Sequence, residues 1–350
     1  MEQLNKKALQ NILDRIVDNK KVFGVSFCVK YSGEIWCGTR GNLQLTQQYF
    51  IASTTKLFVT AIILHLQEKG ILKLEDQINK YLNADILQGL CTFSGQDCVN
   101  EITVKHLLAH TSGIPDYLQL KGKDGESLLS KITNGIDQSW TFDEAIERSK
   151  LQMPFFRPGT KGKAHYSDTN FQLLGRIIEN ITSKSFSANC EELIFKPLGL
   201  KQTYLYQDIQ DSRPTKLYFK NKELYIPKAM SSFGPDGGIV STSEDMIIFL
   251  EAFFTGAFFP ATYIDALKAW NRMFFPLQSG VGIHRFKLPW IFNPLGKIPE
   301  LIGHSGLSGA LAYYCPKEKL YVVGTVNQVA HPSISFKVMV KLIQILIRRK

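Results

Sequence analysis

Apolar residues recur every three or four positions from residue 4 to 17, which places Leu4, Leu9, Ile12, Leu13, Ile16 and Val17 on one face of a helix. The period then changes. "VFGVSFCVK" reads as a strand, "YSGE" as a turn around Gly33, and "IWCGTRG" as the returning strand. The far end repeats the arrangement: "ALAYYC", the turn "PKEK", the strand "LYVVGTVN", then a helix from about Ser333. Two hairpins at opposite chain ends, each beside a helix, can share one antiparallel sheet. The expected fold class is therefore α+β: an antiparallel sheet flanked by N- and C-terminal helices, with an inserted mainly helical region. Residues 1–55 and 230–350 would supply the sheet region and residues 56–229 the helical region. The crevice between them is the natural place for a site.

One helical stretch stands apart. "YFIASTTKLFVTAIILHLQEKG", from Tyr49 to Gly70, is built largely from Leu, Phe, Val and Ile, yet carries Ser53 at its mouth and Lys56 three residues later. An i,i+3 pair lies on one helical face. A serine at a helix N-terminus meets free backbone N–H groups and the positive end of the helix dipole, which favour developing negative charge. An ammonium held near apolar walls is costly, so a lysine there suits a base or a hydrogen-bond organiser. The bland alternative is an N-cap serine with a surface lysine. Ser-x-x-Lys occurs once in the chain, at Ser53-Thr54-Thr55-Lys56.

Composition narrows the field. The 350 residues carry a net charge of +10, but the lysines are scattered, and the only basic run is Arg348, Arg349 and Lys350. Nucleic-acid binding would want a concentrated stripe or a known motif, and neither is present. Met1 to Lys7 have no apolar leader core, which suits a cytoplasmic chain or a mature exported form. The run Leu57 to Leu66 is too short to span a bilayer, so no transmembrane segment is expected. "FKVMVKLIQILIRRK" reads as a packed amphipathic helix, a pattern that also suits a membrane surface. Cys28, Cys37, Cys190 and Cys315 read as buried small apolar groups, while Cys91 and Cys98 flank a loop and could pair. With His106 and His110 the latter two make a Cys-Cys-His-His set whose spacing fits no zinc pattern, so no metal and no cofactor is expected.

Two further pieces give the serine its context. "GKAHYSDTNFQLLGRIIENIT" places Tyr166-Ser167-Asp168 before an amphipathic helix, and "LIGHSGLSGALAYYC" places His304-Ser305-Gly306 before the first strand of the C-terminal hairpin. In that order, Ser-x-x-Lys, Tyr-x-Asp and His-Ser-Gly, the sequence resembles the β-lactamase and penicillin-binding-protein superfamily, specifically its class C-like branch. "LLAHTSGIPDY", "GGIVSTSEDMIIFLEAF" and "GVGIHRF" are similar to further landmarks of that family, and the first disposes of a metal role for His106 and His110. Tyr81-Leu82-Asn83, Tyr206-Gln207-Asp208 and Tyr263-Ile264-Asp265 also fit the middle triplet, but lack its glycine-rich approach and following "LLG" helix.

The resemblance implies a serine hydrolase that works through a covalent acyl-enzyme on an ester or amide, as an esterase, D-amino-acid peptidase or β-lactamase-like enzyme. Ser53 would be the nucleophile, with Lys56 and Tyr166 sharing the proton traffic. The backbone N–H groups of Ser53 and Leu307 would form the oxyanion hole. Asp168, His304, Ser305 and Gly306 would bind substrate or join the proton network. Two departures bear on the substrate. Asp168 stands where the class C pattern has asparagine; a carboxylate only accepts hydrogen bonds, favours an ammonium at Lys56 and shifts the burden of base to Tyr166. His304 stands where the pattern has lysine and changes how a substrate carboxylate would be held. The segment 118–150 is expected to border the site and set specificity. The alternative to hydrolysis is a non-catalytic binding or scaffold protein that retains the fold. The partner in either case is a small molecule or peptide rather than nucleic acid.

Overall fold

The computed structural model describes residues 4–122, 124–293 and 298–347. The basic run Arg348, Arg349 and Lys350 lies outside them, as do Met1 to Gln3 and Lys123 within the segment 118–150.

Eight strands form the main sheet: β1 (Gly24–Tyr31), β2 (Glu34–Gly41), β3 (Asn271–Phe274), β4 (Leu277–Ser279), β5 (His284–Phe286), β6 (Leu301–Ser305), β7 (Ala310–Cys315) and β8 (Leu320–Thr325). Their spatial order is β3-β4-β5-β6-β7-β8-β1-β2, antiparallel throughout. The two chain ends meet where β1 pairs with β8, in register from Ser26 opposite Thr325 to Lys30 opposite Tyr321. The β1–β2 turn needs two left-handed residues, and Ser32 and Gly33 supply them with φ of 52° and 85°.

The alternation of side chains along β1 explains what covers the sheet. Val25, Phe27 and Val29 belong to one buried cluster with Leu9 and Leu13 of helix α1 (Lys6–Ile16). Val338, Met339 and Leu342 of the C-terminal helix, Ser333–Ile347, complete it. On the opposite face Ser26 Oγ lies 2.9 Å from Ser243 Oγ, at the start of the helix Ser243–Thr255. Cys28 shares that side, in a larger cluster that runs into the helical part of the molecule. No helix among the described residues is long and apolar enough to cross a membrane.

The cysteine reading needs one correction. Cys28 and Cys37 are not separate apolar groups; they face each other across β1 and β2 and form a disulfide. Cys91 and Cys98 also pair, and Cys190 and Cys315 are free and buried.

The helix α2 (Lys56–Glu68) runs through the large cluster and is buried on nearly every side. A helix apolar all round belongs inside a protein, not on its surface. Its lysine is therefore no solvated side chain: Lys56 is wholly buried. The helix Asp168–Thr182 packs against α2 and brings the Tyr166 segment to the same end.

Candidate active site

Ser53 sits in the single turn Ala52–Thr55 that leads into α2. The residue before it, Ala52, has φ of 47°, a conformation that costs a non-glycine residue and persists only where its surroundings enforce it. Gly306 is part of that surround. A Cβ there would lie 2.4 Å from the Ile51 carbonyl oxygen, so only glycine lets the end of β6 press against the serine turn.

Two side chains, Lys56 and Tyr166, converge on Ser53, and Asp168 joins them to each other. Lys56 Nζ donates to Ser53 Oγ at 3.1 Å, to Asp168 Oδ1 at 2.6 Å and to the Asp236 carbonyl at 2.5 Å. These acceptors use all three donors of an ammonium. Tyr166 Oη donates to Ser53 Oγ at 2.6 Å and lies 3.1 Å from Asp168 Oδ1. A phenol has one proton, so it serves only one of these acceptors at a time. Burial, and then the Asp168 carboxylate, push Tyr166 well above the usual phenol range, which keeps it neutral.

The Tyr166 segment is held by "LLAHTSG". His110 stacks on Tyr166 with ring centroids 4.6 Å apart, and its Nδ1 accepts the N–H of Ser167 at 3.2 Å. His110 is therefore occupied here, while His106 closes a capping box with Thr103 and Cys91 is bonded to Cys98. Among the described residues no group of three or more His, Cys, Asp or Glu side chains could hold a metal ion. The other tyrosines that fit the triplet are tied up elsewhere: Tyr81 donates to Asp76, Tyr206 to the Asp211 carbonyl and Tyr263 to Glu68.

Several residues of the site escaped the sequence reading. Asp116 and Asp236, both buried, stand around Asp168. Asp116 Oδ1 accepts the N–H groups of Asp168 at 3.3 Å and Leu118 at 3.1 Å. Burial and the neighbouring Asp168 charge push its carboxyl up to about 7. Asp236 accepts the Tyr117 hydroxyl at 2.7 Å, and burial followed by Asp168 pushes it well above the carboxylate range. Of the three buried carboxyl groups Lys56 touches only that of Asp168; it meets Asp236 through the main-chain carbonyl. His284 is the other addition. It lines the cavity in front of Ser53, and burial lowers it to about 3.

His304 stacks behind His284, with centroids 3.8 Å apart, and is not among the cavity-lining residues. Burial holds it well below its ordinary value, so it is neutral near pH 7. Ser305, Gly306 and Leu307 do line the cavity, together with Ser53, Tyr166 and Asp168. The cavity holds about 410 Å³.

Comparison with known proteins places this arrangement. The family model described as Beta-lactamase matches residues 9–335. The chain is 24% identical over 355 aligned positions to a putative D-alanyl-D-alanine carboxypeptidase of Escherichia coli, covering 92% of this chain and 78% of that one. It is 26% identical over 330 positions to a penicillin-binding protein of Bacillus subtilis, covering 87% and 67%. Among solved structures, a D-amino acid amidase of Ochrobactrum anthropi superposes with a TM-score of 0.79 at 23% identity, over 98% of each chain. EstCE1, a hydrolase with promiscuous acyltransferase activity, superposes with 0.80 at 15% identity over 97% of each. At these identities the structural likeness speaks for the fold. The family match speaks for the chemistry: the chain belongs to the β-lactamase family, and it is a serine hydrolase of the β-lactamase and penicillin-binding-protein type.

Proposed function

We propose that the protein cleaves a neutral ester or amide through a covalent acyl-enzyme on Ser53. The observation that carries this reading is the convergence of Lys56 Nζ and Tyr166 Oη on Ser53 Oγ. Ser53 Oγ attacks the carbonyl carbon. Its proton passes to Tyr166 Oη as the phenol proton passes to Asp168 Oδ1, so no free phenolate forms. That route answers the high proton affinity of Tyr166. The Lys56 ammonium, touching both Ser53 and Asp168, steadies the charge at each end. The N–H groups of Ser53 and Leu307 receive the oxyanion. The adduct collapses as the C–O or C–N bond breaks; Tyr166 Oη gives its proton to the departing alcohol or amine and takes one back from Asp168. Water then attacks the acyl-enzyme, its proton passing by the same relay, and as the acid leaves, the proton is returned to Ser53 Oγ.

Titration with a small fluorophosphonate, followed by intact-mass and peptide analysis, tests the nucleophile. One adduct on the Ser53 peptide is expected, with none in Ser53→Ala. An adduct on Ser305 or Ser112, or none in folded protein, overturns the assignment.

A further inference from the structure

The cavity in front of Ser53 is lined mainly by apolar side chains, with Gln119, Ser305 and Ser308 the polar ones besides those at the serine. Around Ser53 stand Tyr166, Asp168, Asp236 and His284. Away from them one wall is Leu118, Ile132, Leu217, Leu224, Ile226 and Met230. These six belong to one buried apolar cluster, formed with Trp140 and Val240, so the wall is the face of a packed core. Leu277 and Phe336, from the cluster under the terminal helices, line another part. No lysine or arginine is among the lining residues.

Packed interiors leave few voids larger than a water molecule, and apolar cavities do not hold ordered water well. A space of about 410 Å³ between two well-packed clusters, opening on the reactive serine, is within the range of ligand pockets rather than of packing defects. Its chemistry excludes some occupants. A carboxylated or phosphorylated chain would lose its hydration and meet no cation, only Asp168 and Asp236. An ammonium chain end pushed along the apolar wall would pay the same desolvation cost without a partner. A neutral hydrocarbon chain meets a complementary surface along the apolar wall.

We infer that this cavity takes an uncharged apolar chain of the substrate, so that the enzyme acts on acyl esters or amides carrying a hydrocarbon chain several carbons long. The inference rests on Ser53 as the nucleophile. The segments 118–133 and 217–233 set the chain length accepted: Leu118, Gln119, Leu129 and Ile132 come from the first, and Leu217, Leu224, Ile226, Met230 and Phe233 from the second.

The test uses two series below their critical micelle concentrations: p-nitrophenyl esters from acetate to dodecanoate, and alkyl acetates from ethyl to decyl. Burying each methylene is expected to raise kcat/KM about 3- to 4-fold until the cavity is full. The rise appears in the first series if the chain lies on the acyl side, and in the second if it lies on the alcohol side. A p-nitrophenyl monoester of suberic acid, with a terminal carboxylate, should fall at least ~30-fold below the octanoate. Leu129 is only half-buried, so Leu129→Trp fills the cavity with little demand on the core. It should shorten the preferred chain, lowering the ratio of kcat/KM for the longest to the shortest ester of the responding series at least ~10-fold; an unchanged ratio would show that the chain does not lie against Leu129. Flat profiles in both series, with Ser53 still labelled, overturn this inference and leave the nucleophile assignment standing. Failure of Ser53 to label in folded protein overturns that assignment instead.

Discussion

At the scale of single residues, the site sets one lysine beside three buried carboxyl groups, Asp116, Asp168 and Asp236. Asp168 is the one that touches both Lys56 and Tyr166. If it takes the phenol proton during attack, Asp168→Asn should cut kcat/KM about 100-fold at pH 7, the usual size of a proton-transfer contribution. An amide cannot accept the proton, so the remaining activity should climb with pH above 8 as a phenolate becomes accessible. Full activity with an unchanged pH profile would mean that Asp168 only orients Lys56. Asp116 is a stability group. In the unfolded chain a carboxyl titrates near about 4, but in the fold it is held up to about 7. Below pH 4 both states are protonated; as pH rises from about 4 to 7 the unfolded chain has given up its proton and the fold has not, so the fold loses stability on the order of a few kcal/mol, a loss that is complete above pH 7. Asp116→Asn removes that loss. Its carbonyl still accepts from Leu118 and Asp168, and Gln119 can turn its own amide to match. The variant should melt a few degrees above wild type at pH 8 and nearly level with it at pH 3.5; equal melting curves at pH 8 would show Asp116 ionising freely. Ser53, Lys56 and Tyr166 were legible because spacing and context mark them. Asp116 and Asp236 were not. Each follows a proline in a loop, where aspartate is an ordinary turn residue, and only tertiary packing aims them at Asp168.

At the scale of elements, the hairpins and terminal helices were readable because their side-chain periods, 2 and 3.6, are strong over eight or more residues. The central helix was readable too, but its lysine was ambiguous until burial on every side became visible. The Cys28–Cys37 bond shows a subtler limit. A two-residue turn at Ser32 and Gly33 pairs residue 31 with 34 and, stepping outward, 28 with 37. That register was implicit in the "YSGE" turn, yet strand residues with a period of 2 are naturally assigned to faces before they are paired across them. With two disulfides formed, thiol titration of the denatured, unreduced protein should count two groups, Cys190 and Cys315. A count of four would mean that one bridge is missing and a count of six that neither forms. Because each bridge closes a short loop, Cys91→Ser with Cys98→Ser should cost about 2–3 kcal/mol.

At the scale of the molecule, charge is distributed in a way that opposes the reactions this fold is best placed to perform on anions. The chain carries +10 overall, and that field will draw anionic solutes toward it at low salt. The cavity offers no such pull: no lysine or arginine is among its lining residues. A β-lactam carries a carboxylate beside its ring, and His304 stands where a lysine would hold it. A histidine at the surface could gain a proton near pH 6 and restore the attraction. This one cannot readily do so, because it is buried behind His284 and both rings are held well below their ordinary value. The missing charge-assisted hydrogen bond is worth about 1–2 kcal/mol, or roughly 5- to 30-fold in binding. A neutral ester requires only the nucleophile, the oxyanion hole and the apolar wall. At pH 7, kcat/KM for p-nitrophenyl butyrate should therefore exceed that for a chromogenic cephalosporin by at least ~10-fold. The cephalosporin rate, referred to the ester rate at each pH, should not rise as pH falls from 8 to 6. A relative rise toward pH 6 would show His304 or His284 becoming an imidazolium within reach of substrate, and faster cephalosporin turnover at pH 7 would show that the cavity supplies an anion partner from elsewhere.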